Sequence, residues 1–481
     1  MKNNKIKIRI EGAALTALVI AMVILINVIA GILGEKYDLK VDVTGGGVFT
    51  LAPETEEVVD ALNKEITVYY ATNAENRNSR YQEILGKFEK SSDFIKVSEV
   101  NIDTDPGFAR KYQIKNYNSV VVECSETEKK RVVDSSMIEQ GSRNDNGAES
   151  TKVNYLEGYV SAAIRYVTSD DPLMVYVMMG HGEVIENTTL LDFLMNMLYS
   201  EGMSVKILDL NTDDIPSDAD VLLFAGPTID FNDVDIKKID DYLEKGGRIQ
   251  YYSNPSYNLN NINSYFEKNW SVRINNDCVS DKNQGYIAQS PIGNYLIPVL
   301  REHKMTSYLR SVSTKIRVLE GETNSITVTE KDSIEASVLV ATNETGVTMS
   351  RENWIAKNAR ENYKIDSEGE KNLVVYLRKN SLNNTETTAR VLVSGSYYML
   401  FDRYFDSSSG YGDKDFVIKS INYMSGVEDA PVSVAAKDVI KEKMEVMENK
   451  TFVFCVSLLV IAIPVLLFAY GVFVYVRRRS L

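Results

Sequence analysis

The sequence contains few of the residues that form disulfide-linked folds and metal centres. Three cysteines, Cys124, Cys278 and Cys455, are too few and too scattered for a disulfide framework or a cysteine-rich zinc site. Two histidines, His181 and His303, leave little for a histidine-based metal centre. Positive charge is also scarce: 53 Lys and Arg residues are outnumbered by 67 Asp and Glu residues, so the net charge is −14. Since binding to a phosphate backbone needs a basic surface, nucleic acid is excluded as a main partner.

The sequence also lacks the common motifs of nucleotide-binding and hydrolytic enzymes. No G-x-x-x-x-G-K-[ST] occurs, so the chain has no P-loop to hold ATP phosphates. Neither G-x-S-x-G nor H-E-x-x-H occurs. If the system that contains this chain consumes ATP, another subunit hydrolyses it. We therefore expect no cofactor, no metal and no enzymatic activity.

Two long apolar runs without any charged residue stand near the two ends of the chain, at residues 13–34 and 451–476. A helix needs about 20 mostly apolar residues to cross the hydrocarbon core of a bilayer, and both runs meet that length. A cleaved signal peptide is the alternative for the first run. That run is too long for a signal peptide, and no A-x-A cleavage site follows it. The sequence predicts a transmembrane helix in each run.

The orientation of these helices follows from the basic residues that flank them. Those residues are Lys2, Lys5, Lys7, Arg9, Arg477, Arg478 and Arg479. Positive flanks stay in the cytoplasm, so the tails 1–12 and 477–481 are predicted to be cytoplasmic. We expect a two-pass protein of the plasma (inner) membrane that contacts lipid through both helices. Its body, residues 35–450, is expected to be extracytoplasmic.

The first part of the body, residues 35–135, alternates helices and strands. We predict helices at 53–62, 81–88 and 106–112, and strands at 65–70, 95–102, 119–123 and 131–134. This order indicates a small α/β unit with a parallel core, similar in topology to a thioredoxin-like domain. No C-x-x-C is present, so redox chemistry does not follow. Residues 136–151 are polar and contain Gly, Ser and Asn, which predicts a linker or exposed loop.

The central part, residues 152–275, has nearly continuous apolar strands separated by amphipathic helices. This pattern is typical of a doubly wound parallel sheet with helices on both faces. Residues 276–388 are rich in Asn, Ser and Thr with short β-like runs, and we predict a β-rich insertion there. Residues 389–430 are expected to return to the central domain with one more strand and helix. Residues 431–450 form a membrane-proximal segment.

Two glycine-containing loops follow strands of this predicted sheet, at the edge where such sheets bind ligands. The candidate binding residues are Gly180, His181, Gly182 and Glu183 in one loop, and Gly226 and Pro227 in the other. Flanking glycines permit tight turns or a close approach to a ligand or partner. The loop could equally be structural and pack against its neighbours. His181 with Glu183 could also form a base with an orienting acid, but no nucleophilic cysteine stands in a suitable context.

Several short stretches, taken together and in order, resemble the GldG-like family of membrane-anchored auxiliary components of ABC-type transport systems, first named for gliding motility. They are Tyr37-Asp38-Leu39, Phe49-Thr50-Leu51, Glu54-Thr55, Glu157, Ser161 to Ile164, Gly180 to Glu183, Ile215-Pro216, Ala219 to Leu222, Ala225-Gly226-Pro227, Asp241 to Gly247, Pro464 and Arg477 to Arg479. The resemblance covers both ends and the central sheet but not the insertion. Two positions depart from the family pattern: Ala52 replaces a helix-capping Ser, and Ser396 replaces an Asp after the final strand.

This resemblance implies an outer-face accessory subunit that works with a separate permease and a separate ATPase. Two alternatives remain open at this point. The chain could be a membrane-tethered receptor that binds a small ligand at the sheet edge. It could also be a membrane-bound hydrolase or amidase that uses His181.

Overall fold

The computed structural model of the protein describes residues 50–143, 149–186, 188–289, 293–380, 388–400 and 411–427, with four single positions and the pairs 437–438 and 470–471 outside these ranges. Two compact units are distinguished, Met1–Asp438 and Val439–Leu481. Every helix and strand named below belongs to the first unit. The predicted spans and tails lie almost wholly outside the described residues. Within the described part, no helix combines the length and apolarity needed to cross a bilayer.

A four-stranded sheet occupies the first part of the body. Its helices and strands are α1 (Pro53–Asp60), β1 (Ile66–Thr72), α2 (Ser79–Ser91), β2 (Ile95–Asn101), α3 (Pro106–Tyr112), β3 (Ser119–Cys124) and β4 (Lys129–Val133). The strand order is β2-β1-β3-β4, with β1 parallel to β2 and antiparallel to β3. The sheet is therefore mixed, and the predicted parallel core is limited to one strand pair.

The segment predicted to be a linker forms regular structure instead. It contains α4 (Ser135–Ile138) and an antiparallel hairpin of β5 (Glu139–Arg143) and β6 (Glu149–Asn154). The described part of residues 136–151 therefore contains a short helix and two strands where the composition predicted a linker or exposed loop. Polar residues with Gly and Asn are as typical of hairpins as of linkers, so composition alone did not separate the two. The helix α5 (Leu156–Thr168) follows and packs against β3 and β4.

The rest of the first unit is built around one large sheet. Its helices are α6 (Thr188–Tyr199), α7 (Asp233–Glu244), α8 (Asn260–Trp270), α9 (Lys304–Ser311), α10 (Arg351–Asn358) and α11 (Asp413–Ser425). Its first four strands along the chain are β7 (Met174–Met179), β8 (Ser204–Asp209), β9 (Val221–Ala225) and β10 (Arg248–Tyr252). The later strands run from β11 to β23: Val272–Ile274, Cys278–Asp281, Ile287–Ala288, Tyr295–Leu296, Val299–Leu300, Val318–Leu319, Ile326–Val328, Glu335–Ala341, Gly346–Met349, Ser367–Glu368, Asn372–Asn380, Thr388–Ser394 and Lys437–Asp438.

Five neighbouring strands of the large sheet are parallel, in the order β8-β7-β9-β10-β22. Alternate residues of β7 enter different cores: Val175 and Val177 pack on one face, and Tyr176 and Met178 on the other. This is the period of two that a pleated strand requires. Helices α6 and α11 cover the first face, and α7 and α8 cover the second. The protein is thus a mixed α/β structure whose central sheet is buried on both sides.

The region predicted as an insertion does not form a separate body. Its strand β21 is the antiparallel neighbour of β22, and β18, β17, β15 and β11 extend the same sheet further. Only two small three-stranded sheets, β12-β19-β20 and β13-β14-β16, lie apart from it in the described residues. Residues 276–388 are β-rich as predicted, but a large part of them belongs to the central sheet. Composition could not indicate this, because antiparallel strands that extend a sheet have the same composition as strands of an independent sheet.

Candidate functional site

The loop that follows β7 turns at two glycines with positive φ. Gly180 has a φ of 107° and Gly182 a φ of 63°, values that side-chain-bearing residues rarely adopt. A Cβ atom on Gly182 would lie 2.4 Å from the hydroxyl oxygen of Thr228, and one on Gly180 would lie 2.4 Å from a carboxylate oxygen of Asp209. Both glycines are therefore required by the backbone geometry and by close packing.

The His181 side chain points into the protein. Its ring is 2% exposed and stacks on Phe231, with ring centroids 3.9 Å apart and planes 11° from parallel. Its Nε2 lies 3.2 Å from Oδ2 of Asp235, in the first turn of α7. The His181 carbonyl accepts the N–H groups of Thr228 and Ile229, each at 2.9 Å. His181 thus connects the end of β7 to the segment between β9 and α7, and its buried ring is inaccessible to a ligand.

The Glu183 carboxyl group is buried beside this histidine. Its Oε2 accepts the backbone N–H of His181 at 2.9 Å, while its Oε1 lies 4.0 Å from Nδ1 of the ring, too far for a hydrogen bond. Among the described residues, neither of these last two atoms has a hydrogen-bond partner. The pKa of the Glu183 carboxyl is raised from 4.5 to about 7, chiefly by burial; backbone N–H groups oppose this shift, and Glu186 and Asp209 add to it. The carboxyl group is poised to hold a proton near neutral pH.

The second predicted loop meets the first at the same edge of the sheet. Gly226 and Pro227 are both buried, and Gly226 has a φ of 65°. The Gly226 N–H donates to the Tyr252 carbonyl at 2.9 Å, and a Cβ there would lie 2.9 Å from the Tyr397 ring. The hydroxyl of Thr228 donates to the Gly182 carbonyl at 2.9 Å and so links the two loops. The loops hold each other in place by backbone contacts.

Three residues of this arrangement were missed by the sequence analysis: Thr228, Phe231 and Asp235. Asp235 carried a usable signal. It shares a helix face with Ile239 and Leu243 at a spacing of four residues, and all three are buried. An acidic residue on the apolar stripe of a helix needs a buried partner, and here that partner is His181. No comparable signal marked Phe231, since aromatic residues are common in any core.

The arrangement offers little for the hydrolase alternative. The two described cysteines, Cys124 and Cys278, lie in β3 and β12, away from this loop. The hollow beyond the end of β10, next to Tyr251 and Asn254, has a volume of about 20 Å³, room for about one water molecule. No group of three His, Cys, Asp or Glu side chains in the described ranges could hold a metal ion.

The two departures from the family pattern each have a structural counterpart. Ala52 has no side chain that could cap α1, and the start of the helix is held instead by Oε1 of the buried Glu157, which accepts the Ala52 N–H at 2.5 Å and the Thr55 hydroxyl at 2.8 Å. The Thr55 and Ser161 hydroxyls lie 3.0 Å apart. Ser396 is buried and donates its hydroxyl to the Glu322 carbonyl at 2.8 Å. Glu157 therefore joins α1 to α5, although the two are about a hundred residues apart in sequence.

The profile of the family described as "ABC-type uncharacterized transport system" matches residues 173–420, just over half of the chain. The chain belongs to this family of auxiliary components of ABC-type transport systems. The match begins at the strand that leads into the Gly180–Glu183 loop. It includes both predicted loops, and it also spans residues 276–388, which the resemblance noted from the sequence left out.

Comparisons with curated proteins and with solved structures give little information beyond membership of this family. No curated protein matches the chain. Among solved structures, one described as "mmIFT52 N-terminal domain" is 15% identical, covers 52% of this chain and 97% of its own, and has a TM-score of 0.37. The N-terminal domain of alkylhydroperoxide reductase AhpF from Enterococcus faecalis is 14% identical, covers 33% of this chain and 77% of its own, and has a TM-score of 0.19. At these scores the similarities support no further statement about this auxiliary component.

Proposed function

We propose that this auxiliary component is an extracytoplasmic subunit, of the GldG-like kind, that works with a separate permease and a separate ATPase. Membership of the family supports its place in an ABC-type transport system. The absence of a P-loop from the sequence supports a separate ATPase. The apolar runs 13–34 and 451–476 and their basic flanks support two membrane helices, cytoplasmic tails and an outer-face body. Residues 35–135 are proposed to be thioredoxin-like, on the basis of their mixed sheet with helices α1 to α3.

The buried contact between His181 and Asp235 indicates which surface of the protein would meet a partner subunit. A buried ring cannot bind a partner directly, but it fixes the segment between β9 and α7. That segment presents Ile229, whose exposed fraction is 59%, over Gly182. Together with Val234, 64% exposed in the first turn of α7, Ile229 is proposed to form the apolar part of the contact with a partner subunit. The role of the Gly180–Glu183 loop is then recognition through the surface it supports.

Co-purification tests this proposal. The tagged full-length chain, extracted from its own membranes in mild detergent, is expected to retain a permease and an ATPase. Ile229→Asp should abolish most of that recovery, because it places a charge in the contact. Ile355→Asp is the matched control, since Ile355 is 61% exposed on α10. A wild-type chain recovered with neither subunit, or equal recovery with both variants, would contradict the proposal.

A further inference from the structure

Two buried polar atoms face each other behind the Gly180–Glu183 loop without a hydrogen bond. Nδ1 of His181 and Oε1 of Glu183 lie 4.0 Å apart, and neither has a hydrogen-bond partner in the ranges that the structure describes. Both side chains are enclosed, with exposed fractions of 2% for His181 and 0% for Glu183. A buried polar atom without a partner costs free energy, so anything that joins the two atoms stabilises the fold.

The other contacts of these side chains indicate which protons they carry. Nε2 of the ring lies 3.2 Å from the Asp235 carboxylate, which only accepts, so Nε2 carries the proton of the neutral ring. Nδ1 is then an acceptor. The ionised Glu183 carboxylate is an acceptor too, and its Oε2 already accepts the His181 N–H at 2.9 Å. Two acceptors cannot form a hydrogen bond with each other, which fits the gap of 4.0 Å.

One added proton turns this pair of acceptors into a donor and an acceptor. A proton taken up from water by Oε1 of Glu183 makes that oxygen a donor to Nδ1 of His181. An approach of about 1 Å then brings the two atoms to an ordinary hydrogen-bond distance. The contacts of Nε2 with Asp235 and of Oε2 with the His181 N–H are kept, so the pair has a place for one proton.

The groups around the pair favour uptake of this proton. The neighbouring titratable groups are Asp235 on α7, Asp209 at the end of β8, Glu186 in the same loop and Tyr251 on β10. Three of these are carboxyl groups and none is a cation. Burial is the main cause that raises the pKa of the Glu183 carboxyl from 4.5 to about 7. The proton is therefore exchanged close to neutral pH.

The backbone of the pair is joined directly to the segment that carries Ile229. The His181 carbonyl accepts the N–H groups of Thr228 and Ile229, each at 2.9 Å. The Thr228 hydroxyl donates to the carbonyl of Gly182, which stands between His181 and Glu183. A movement that brings the two side chains together is therefore transmitted to these three hydrogen bonds.

We propose that His181 and Glu183 form a site for a single proton, which locks the Gly180–Glu183 loop against residues 228 and 229 when it is bound. With the proton, the loop gains a buried hydrogen bond and holds Ile229 firmly. Without it, two buried acceptors face each other and the loop opens more often. The device lies within this chain and needs no partner subunit, so it does not rest on the proposed function.

The chain has two histidines, His181 and His303, which allows a direct test of the proton site by NMR. Full-length protein in detergent, labelled with carbon-13 at the ε1 position of histidine, gives two ring signals, and His303→Asn assigns them. The His181 signal should shift with a midpoint near pH 7. Glu183→Gln should abolish the shift, because its amide offers a donor to Nδ1 at every pH. Glu361→Gln, on an exposed residue just after α10, is the matched control and should leave the shift unchanged.

Hydrogen exchange, followed by mass spectrometry on the same samples, tests the lock. Relative to the intrinsic exchange rate at each pH, protection of residues 226–231 in the wild type should fall about tenfold from pH 6 to pH 8, the factor that one buried hydrogen bond supplies. Glu183→Gln should keep its protection at both values. Residues 119–124 of β3, in the other sheet, report the stability of the whole fold and should change little in either protein.

Each experiment has an outcome that contradicts the proposal. A His181 signal that does not shift between pH 5.5 and 8.5, or that shifts equally in Glu183→Gln, would overturn the proton site. Protection of residues 226–231 that stays constant in the wild type, or falls equally in Glu183→Gln, would overturn the lock. An equal loss of protection at residues 119–124 would overturn it too, because the effect would then belong to the whole fold.

Discussion

Replacing Glu183 by Gln should make the protein more stable at neutral pH, and the gain should disappear in acid. The Glu183 carboxyl is buried, and burial raises its pKa from 4.5 to about 7. Gln is neutral at every pH and keeps an oxygen that can accept the His181 N–H, the contact that Glu183 makes through Oε2. The substitution therefore removes the cost of the buried charge while it retains the local hydrogen bond.

The direction and size of the effect follow from proton linkage. Below about pH 4.5 the carboxyl is protonated in the folded and unfolded chains, and it costs nothing. Between pH 4.5 and 7 the unfolded chain ionises while the folded chain keeps its proton, so the wild-type stability falls. Above about pH 7 the loss is complete and amounts to about 3 kcal/mol, at about 1.4 kcal/mol per pKa unit.

The assay is urea unfolding of the wild type and Glu183→Gln at several values between pH 4.5 and 8. The stability difference between the two proteins should grow by about 3 kcal/mol across this range. Burial also raises the pKa of Asp277 and of Asp415, but both are present in each protein and cancel in the difference. Glu361→Gln removes the same charge from an exposed side chain just after α10, away from this loop, and should show no such growth. A Glu183→Gln difference that is the same at pH 4.5 and pH 8 would refute the reasoning.

Four further outcomes are expected. Gly182→Ala should destabilise the fold by several kcal/mol in the same urea unfolding experiment, because φ is positive there and the new Cβ would clash with the Thr228 hydroxyl. Gly86→Ala is the matched control: its new Cβ would meet open space on α2, and it should stabilise the fold by about 0.5–1 kcal/mol. Glu157→Ala should lower stability by about 1–3 kcal/mol, because the Ala52 N–H and the Thr55 hydroxyl lose their buried acceptor, and Glu157→Gln should restore part of it. A reporter active only in the cytoplasm should work after Leu481 and fail when inserted at 144–148; activity at the insertion would overturn the proposed topology. The purified chain alone should not hydrolyse ATP, and turnover that survives removal of contaminating ATPases would contradict this.

Local signals made many elements predictable from the sequence. The bounds of α3 follow from Asp105 and Pro106 at its start, and those of α7 from an Asn cap before it and two glycines after it. The carboxyl-edge position of both candidate loops followed from strand length and from the rule that parallel strands end together. These features depend on residues close in sequence.

The unpredicted features depend on distant partners. His181 lies 54 residues from Asp235, and only the fold reveals that the ring turns inward rather than toward a ligand. The hairpin at 139–154 is completed by Lys437–Asp438, far along the chain. Strand β21 was assigned to an insertion because its pairing with β22 is not encoded in its composition. Side-chain burial and strand partners are set by long-range packing, which a periodic pattern does not contain.

The parallel pairing of β10 with β22 has a consequence for how the protein is made. Strand β10 ends at Tyr252 and its partner begins at Thr388, so about 135 residues separate them. At a synthesis rate of roughly 5–20 residues per second, β10 emerges about 7 to 27 seconds before the strand that covers it. During that interval the main-chain edge of β10, a strand buried in the finished sheet except at Arg248, is a template for wrong pairing. Folding of the central sheet is therefore expected to be slow and to depend on chaperones that shield this edge until residue 394 has been added.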